Sequence, residues 1–237
     1  MESHSNEEQG EKYSLIRQIA PHYGGLQREL GNLVAAEPAQ GRQLRCIEIG
    51  VGDGFTSRVL LQSRPDLHLT SVDNQPVVIR EAEHTLGDWV SSMNLTLVLA
   101  DAQEYLRRET SSTYDIVVSS MTLHNFWADY RSECLREIHR ILAPNGLFIN
   151  ADRYALDPRA HHAIVTMQID RMFEASPDAG RTDVLREWVL HFIADDHPDR
   201  IQRESDAVRE LTDLGFSTIT IQSRCEADAI LTARKAD

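Results

Sequence analysis

The apolar run Leu44–Ile49 passes directly into Gly50-Val51-Gly52-Asp53-Gly54, with a helix-forming stretch beginning near Phe55. Glycines let the backbone turn sharply and approach a ligand without interference from Cβ atoms. A strand that turns through glycine into a helix also aims the free N–H groups of the helix start at a carboxylate or phosphate lying over the turn. Few architectures use such a unit; the main ones are parallel sheets with helices packed on them.

The rest of the chain repeats that unit. Strand-like runs at Leu44–Ile49, Leu67–Val72, Leu95–Leu99, Tyr114–Ser119 and Leu147–Asn150 alternate with amphipathic helices, the pattern of a parallel sheet covered by helices. In Tyr130–Leu142, the residues Cys134, Ile138, Ile141 and Leu142 share one helical face, and Ala143-Pro144-Asn145-Gly146 stops the helix. Ser205–Leu214 reads as a further helix. Phe216–Ile221 and Ala229–Arg234 read as strands whose short link, Gln222–Asp228, suits a hairpin and not a crossover. The expected fold is therefore α/β: a Rossmann-like, seven-stranded, mostly parallel sheet with the last strand antiparallel, helices on both faces and a helical cap.

The organisation expected from this pattern has five parts: a disordered arm at 1–12, a helical segment at 13–43, a cofactor-binding core at 44–151, a helical cap insertion at 152–200, and a C-terminal helix and hairpin at 201–237. Two helices of the insertion are marked by Val165, Ile169, Met172 and Phe173 and by Leu185, Trp188, Val189 and Phe192, with a Ser-Pro-Asp-Ala-Gly turn at 176–180 between them.

Composition narrows the function. With 24 Lys and Arg against 37 Asp and Glu, the net charge is −13. Such a chain repels polyanions unless its basic residues cluster, and here they are interleaved with Glu, so nucleic acid is disfavoured as a substrate. No apolar run reaches the roughly 20 residues of a membrane span. Cys46, Cys134 and Cys225 are scattered and form no CxxC pair, which fits a reducing, cytoplasmic location.

Asp73 ends the second strand, nineteen residues past Gly54, where a carboxylate can accept bonds from ribose hydroxyls. NAD-binding chains share this arrangement, but their GxGxxG fingerprint requires glycine at 55, where this chain has Phe55. The form Glu48-Ile49-Gly50-Val51-Gly52-Asp53-Gly54 instead resembles the nucleoside-binding motif of class I S-adenosylmethionine-dependent methyltransferases. The resemblance continues through Leu99-Ala100-Asp101-Ala102, through Tyr114–Ser120, and through Leu135–Gly146. The N-terminal helix and cap loosely resemble a branch holding small-molecule methyltransferases and carboxy-S-adenosylmethionine synthase.

The resemblance implies that S-adenosyl-L-methionine is the cofactor, leaving S-adenosyl-L-homocysteine. The residues expected to hold it are Gly50, Val51, Gly52, Asp73, Asn74, Asp101, Ala102 and Ser119, with Tyr23 closing from the N-terminal helix. Asp53 reads as a solvated turn residue. His124, on the loop after the fourth strand, is the candidate base. Trp127, Asp152, Tyr154, Trp188 and His191 are candidates for an acceptor pocket, with Arg153 and Phe192 beside them. No pair among His161, His162, His191 and His197 has i, i+4 spacing, so no metal is expected. The expected activity is methyl transfer to a small or medium organic acceptor. A non-methylating S-adenosylmethionine enzyme and a NAD-dependent oxidoreductase stand as alternatives. The N-terminal helix and cap could also supply a homodimer interface.

Overall fold

The computed structural model describes residues 22–38, 41–175 and 182–236; the arm expected at 1–12 and the turn at 176–180 lie outside them. Seven strands form one sheet: β1 (Leu44–Ile49), β2 (Leu67–Asp73), β3 (Leu95–Leu99), β4 (Tyr114–Ser120), β5 (Leu142–Arg153), β6 (Phe216–Cys225) and β7 (Asp228–Lys235). Their order is β3-β2-β1-β4-β5-β7-β6. The pairs from β3 through β5 are parallel, and β7 runs antiparallel to both β5 and β6. The strand order therefore reverses between β1 and β4, and the crevice at such a switch point receives ligands at the carboxyl ends of the strands.

Helices cover both faces. On one lie α1 (Tyr23–Ala35), α2 (Phe55–Ser63), α3 (Pro76–Thr85) and the short α4 (Gly87–Ser91), whose Leu30, Val34, Leu60 and Ile79, with Leu86 at the junction of α3 and α4, pack with Cys46, Leu69 and Val118 of the sheet. On the other lie α5 (Ala102–Arg108), α6 (Ala128–Ile141) and α9 (Glu204–Asp213), whose Leu106, Cys134, Ile138 and Leu211 meet Ile47, Val117 and Phe148. Between β5 and α9 are α7 (Pro158–Ala175) and α8 (Thr182–Asp195), which share a small apolar cluster around Met172 and Phe192.

Some boundaries differ from the sequence pattern, for local reasons. Helix α6 ends at Ile141 and β5 begins at Leu142, which turns extended and pairs with Tyr114. Pro144 blocks helix in the residue before it, so the chain leaves the helix early. The turn is absorbed inside β5, with Asn145 at φ 60°. β5 then runs on to Arg153, so Asp152 and Arg153 belong to the strand and do not follow it. The hairpin link is shorter than expected, only Glu226 and Ala227, because Glu226 adopts φ 58° and closes a tight turn. Phe173, expected on the apolar face of α7, is exposed.

Candidate active site

At the carboxyl ends of β1, β2, β4 and β5 lies a cavity of about 380 Å³, walled by the glycine turn, by α1, and by α7 and α8. Its construction starts at the turn. Gly50 has φ +84°, and a Cβ built there would stand 2.1 Å from Thr122 Oγ1. Gly54, at φ +75°, starts α2 in the left-handed conformation. These are positions where only glycine is unstrained. Asp53, read as solvated, is instead on the cavity wall, where its Oδ1 accepts the Phe55 N–H at 3.0 Å.

Glu48 braces this turn from beneath. It is fully buried, and a single carboxylate oxygen, Oε2, accepts from Ser57 Oγ at 2.5 Å and Ser71 Oγ at 2.6 Å. Burial raises its pKa to about 7, with the two serine hydrogen bonds opposing. One acid thus ties β1 to both α2 and β2.

Asp73 faces the cavity from the end of β2. Its Oδ2 accepts the Val51 N–H at 3.1 Å and its Oδ1 the Gln75 N–H at 2.9 Å. Each carboxylate oxygen has two acceptor sites, so capacity for two hydroxyls remains. Tyr23 closes the near side, its ring centroid 6.0 Å from that of Phe55. A nucleoside with a vicinal diol fits this wall: bare backbone at the turn, an acceptor carboxylate beside it and an aromatic ring over it.

The far side is built by the loop after β4 and by the inserted helices. Met121 leaves β4 at φ 50°, and His124 sits in a short 3₁₀ turn, Leu123–Asn125. His124 Nδ1 lies 2.5 Å from Asp152 Oδ1, and its backbone N–H donates to Asp152 Oδ2 at 3.1 Å. Asp152 is wholly buried and also receives Arg153 N–H and Asn150 Nδ2. With Nδ1–H turned to a carboxylate, the neutral imidazole carries its lone pair on Nε2. Burial pulls the His124 pKa down, but the charge and hydrogen bond of Asp152 outweigh it, and the net shift is upward.

Nε2 of His124 is 3.9 Å from Asp195 Oδ2. Asp195 is the last residue of α8 and lies four positions after His191, whose Nε2 is 3.7 Å from the same oxygen. Burial lowers the His191 pKa. Arg153 points its Nε to within 3.8 Å of Asp195 Oδ2, bonds Gln168 Oε1 at 3.1 Å, and covers the Phe192 ring at 4.1 Å. Although no metal is expected from histidine spacing alone, the donor atoms of His124, His191 and Asp195 all lie within 4.8 Å of one another.

Gly50, Val51, Gly52, Asp73, Tyr23, His124, Trp188 and His191 all line the cavity. Other expected contacts do not. Asp101 is the N-cap of α5, where it accepts the Glu104 N–H at 3.0 Å and the Tyr130 hydroxyl at 2.8 Å. Ala102 follows it, equally off the wall, and Asn74 is exposed, with Gln75 taking the position at the wall. Ser119 is buried in β4; Ser120 reaches the cavity and receives Gln27 Nε2 at 2.6 Å. Trp127 lies outside, half exposed, against His197 and Arg200. Asp152 and Tyr154 are corrected as substrate contacts: Asp152 is fully buried behind His124, and Tyr154 is an interior residue bonded to Asn150 Nδ2 at 2.7 Å.

Sequence reading missed Asp195, Gln168, Met172 and Asp228 on the wall. For Asp195 a signal existed, its i, i+4 relation to His191. For Asp228, whose Oδ2 lies 2.8 Å from His22 Nε2, none did.

Comparison with known proteins agrees with this architecture. Residues 46–146 match the model of a methyltransferase domain. The chain is 28% identical over 160 residues to the carboxy-S-adenosyl-L-methionine synthase of Geobacter sp. strain M21, covering 66% of this chain and 63% of that one. It is 28% identical over 104 residues to the malonyl-[acyl-carrier protein] O-methyltransferase of Halalkalibacterium halodurans, covering 44% and 36%. The chain thus spans less than two thirds of the length of these curated relatives. Among solved structures, the CurJ carbon methyltransferase superposes with a TM-score of 0.64 at 15% identity, covering 89% of this chain and 54% of that one. The domain match, these relatives and the fold together make the chain similar to class I S-adenosylmethionine-dependent methyltransferases.

Proposed function

We propose that the chain transfers a methyl group from S-adenosylmethionine to a small organic acceptor held between His124 and the inserted helices. The observation that carries this reading is that one cavity joins the glycine turn and Asp73 at one end to a His124–Asp152 pair at the other. When bound, the cofactor supplies an already activated methyl group on a sulfonium, so the protein's task is chiefly alignment and exclusion of water.

In this reading Gly50, Val51 and Gly52 admit the cofactor against bare backbone, Asp73 accepts from its ribose, and Tyr23 covers it. Trp188, Phe192 and Met172 shield the acceptor from water. His124 Nε2 takes the acceptor's proton, while Asp152 is a positioning residue that fixes the tautomer and stabilises the imidazolium. Isothermal calorimetry tests the cofactor half: Asp73→Ala should weaken S-adenosylmethionine binding by about tenfold or more, since hydrogen bonds to a charged group contribute about 1.5–3 kcal/mol. Unchanged affinity would overturn the assignment.

The likeness to a carboxy-S-adenosyl-L-methionine synthase favours one second reading, in which the same cradle serves a reaction on the cofactor itself. Product analysis separates the two: S-adenosylhomocysteine with a methylated acceptor supports transfer, and a modified sulfonium product with no methylated acceptor supports the alternative.

A further inference from the structure

We propose that His124, His191 and Asp195 form a binding site for one divalent transition-metal ion of the zinc type, opening into the acceptor end of the cavity. Three observations converge on it. The donor atoms lie within 4.8 Å of one another, with Asp195 Oδ2 3.9 Å from His124 Nε2 and 3.7 Å from His191 Nε2. Asp195 Oδ2 is buried, its side chain 7% exposed, and has no hydrogen-bond partner among the described residues. An oxygen left so at a cavity wall is under-satisfied, and orphaned buried groups carry a cost that a ligand removes. Finally, His124 is held from behind by Asp152 at 2.5 Å. A carboxylate that takes Nδ1–H and turns Nε2 outward is the arrangement that orients metal-ligating histidines.

The three donors must close on an ion. At metal–ligand distances of about 2.0–2.2 Å, tetrahedral donors stand about 3.3–3.6 Å apart. The two contacts to Asp195, at 3.9 and 3.7 Å, must shorten by up to about half an ångström, and the two imidazole nitrogens, which lie within 4.8 Å of each other, must close by up to about 1.5 Å; His191, whose side chain is 38% exposed, is the one to move. His191 and Asp195 are one helical turn apart on α8, so both face the same side; His124 enters from the β4 loop.

The donor set decides the choice of ion. Arg153 at 3.8 Å and Arg200 at 3.5 Å flank Asp195. Mg²⁺ and Ca²⁺ favour all-oxygen ligand sets, whereas Zn²⁺, Co²⁺ and Ni²⁺ gain from two imidazole ligands. Three protein ligands leave a position open to the cavity, where a hydroxyl or carboxylate oxygen of an acceptor is the natural fourth. An ion there occupies the Nε2 lone pair assigned above to the base, so in the loaded chain His124 is a ligand.

This proposal stands on three side chains and not on the methyl-transfer reading. To test it, chain stripped by chelator is titrated with Zn²⁺ by calorimetry and with Co²⁺ by visible absorption. One ion per chain is expected, with d–d bands typical of low coordination and no displacement by excess Mg²⁺. His191→Ala and Asp195→Asn should each weaken binding by about tenfold or more, Asp152→Asn by about 10- to 100-fold, and exposed His162→Ala not at all. Asp73→Ala should lose S-adenosylmethionine while keeping Zn²⁺, so the two proposals fail separately. Absence of saturable one-to-one binding, or equal binding by the His191 and Asp195 variants with their fold verified by circular dichroism, would overturn the site.

Discussion

Two buried side chains of the site have their pKa values raised by the fold. Glu48 is buried with its pKa raised to about 7, against an ordinary value of 4.5. Because the folded state binds that proton more tightly, the stability it contributes is full below the ordinary value and is lost as pH rises through about 7. Glu48→Gln, which keeps an oxygen for Ser57 and Ser71, should be more stable than the parent at pH 8 by up to roughly 3 kcal/mol. Denaturant melts at pH 5 and pH 8 check this; parallel pH dependences in the two proteins would refute it. His124 is shifted the same way but matters for rate. In the chain stripped of metal, turnover should rise with pH through a value above the usual imidazole range, and His124→Ala should lower it by about 10²-fold or more. In Asp152→Asn the rising limb should move to lower pH, since the raising charge is gone, while the plateau falls. A pH–rate profile unmoved by Asp152→Asn would remove Asp152 from its positioning role.

Among the elements, the strand–turn–helix unit was legible in the sequence because its cause is local. Glycine is needed at 50 and 54 by backbone conformation, and the apolar run before it and the amphipathic helix after it have their own periodicities. Gly50→Ala should therefore destabilise the chain by about 1–3 kcal/mol and abolish cofactor binding, from strain at φ +84° and collision with Thr122. Adding Thr122→Ala should relieve the collision but not the strain, giving partial recovery in a thermal melt. The acceptor end was less legible. His191 and Asp195 share a helix, but their approach to His124, sixty-seven positions upstream of His191, depends on where α8 lands on the sheet. Asp101 illustrates the converse: a strand-end acid in the expected register also caps the helix that follows and accepts a tyrosine hydroxyl from α6, a contact the strand pattern does not reveal.

At the scale of the molecule, the alternation of strands and helices and the short link between the last two strands were enough to indicate seven strands and a reversed last one, because a link that short admits a hairpin but no crossover. What it did not convey is how far the walls reach across the sequence. Gln27 on α1 meets Thr56 on α2 and Ser120 on β4 through buried hydrogen bonds of 2.9 and 2.6 Å. Ligand binding should accordingly stabilise the whole fold: S-adenosylmethionine at a hundredfold over its dissociation constant adds about 2.7 kcal/mol, and NADH should leave the melting temperature unchanged. A shift with NADH and none with S-adenosylmethionine would reverse the family reading of the cradle.

The position of β7 has a bearing on synthesis. It lies inside the sheet, between β5 and β6, with Ala229, Ile230, Leu231 and Ala233 buried, and it begins with Asp228, the partner of His22 from 206 positions earlier. While a ribosome is still adding the segment before Asp228, β5 stands as an open apolar edge and His22, just before α1, lacks its carboxylate partner. A nascent polypeptide halted at Cys225 should therefore aggregate or recruit a chaperone, and ligand competence should come only with the final hairpin.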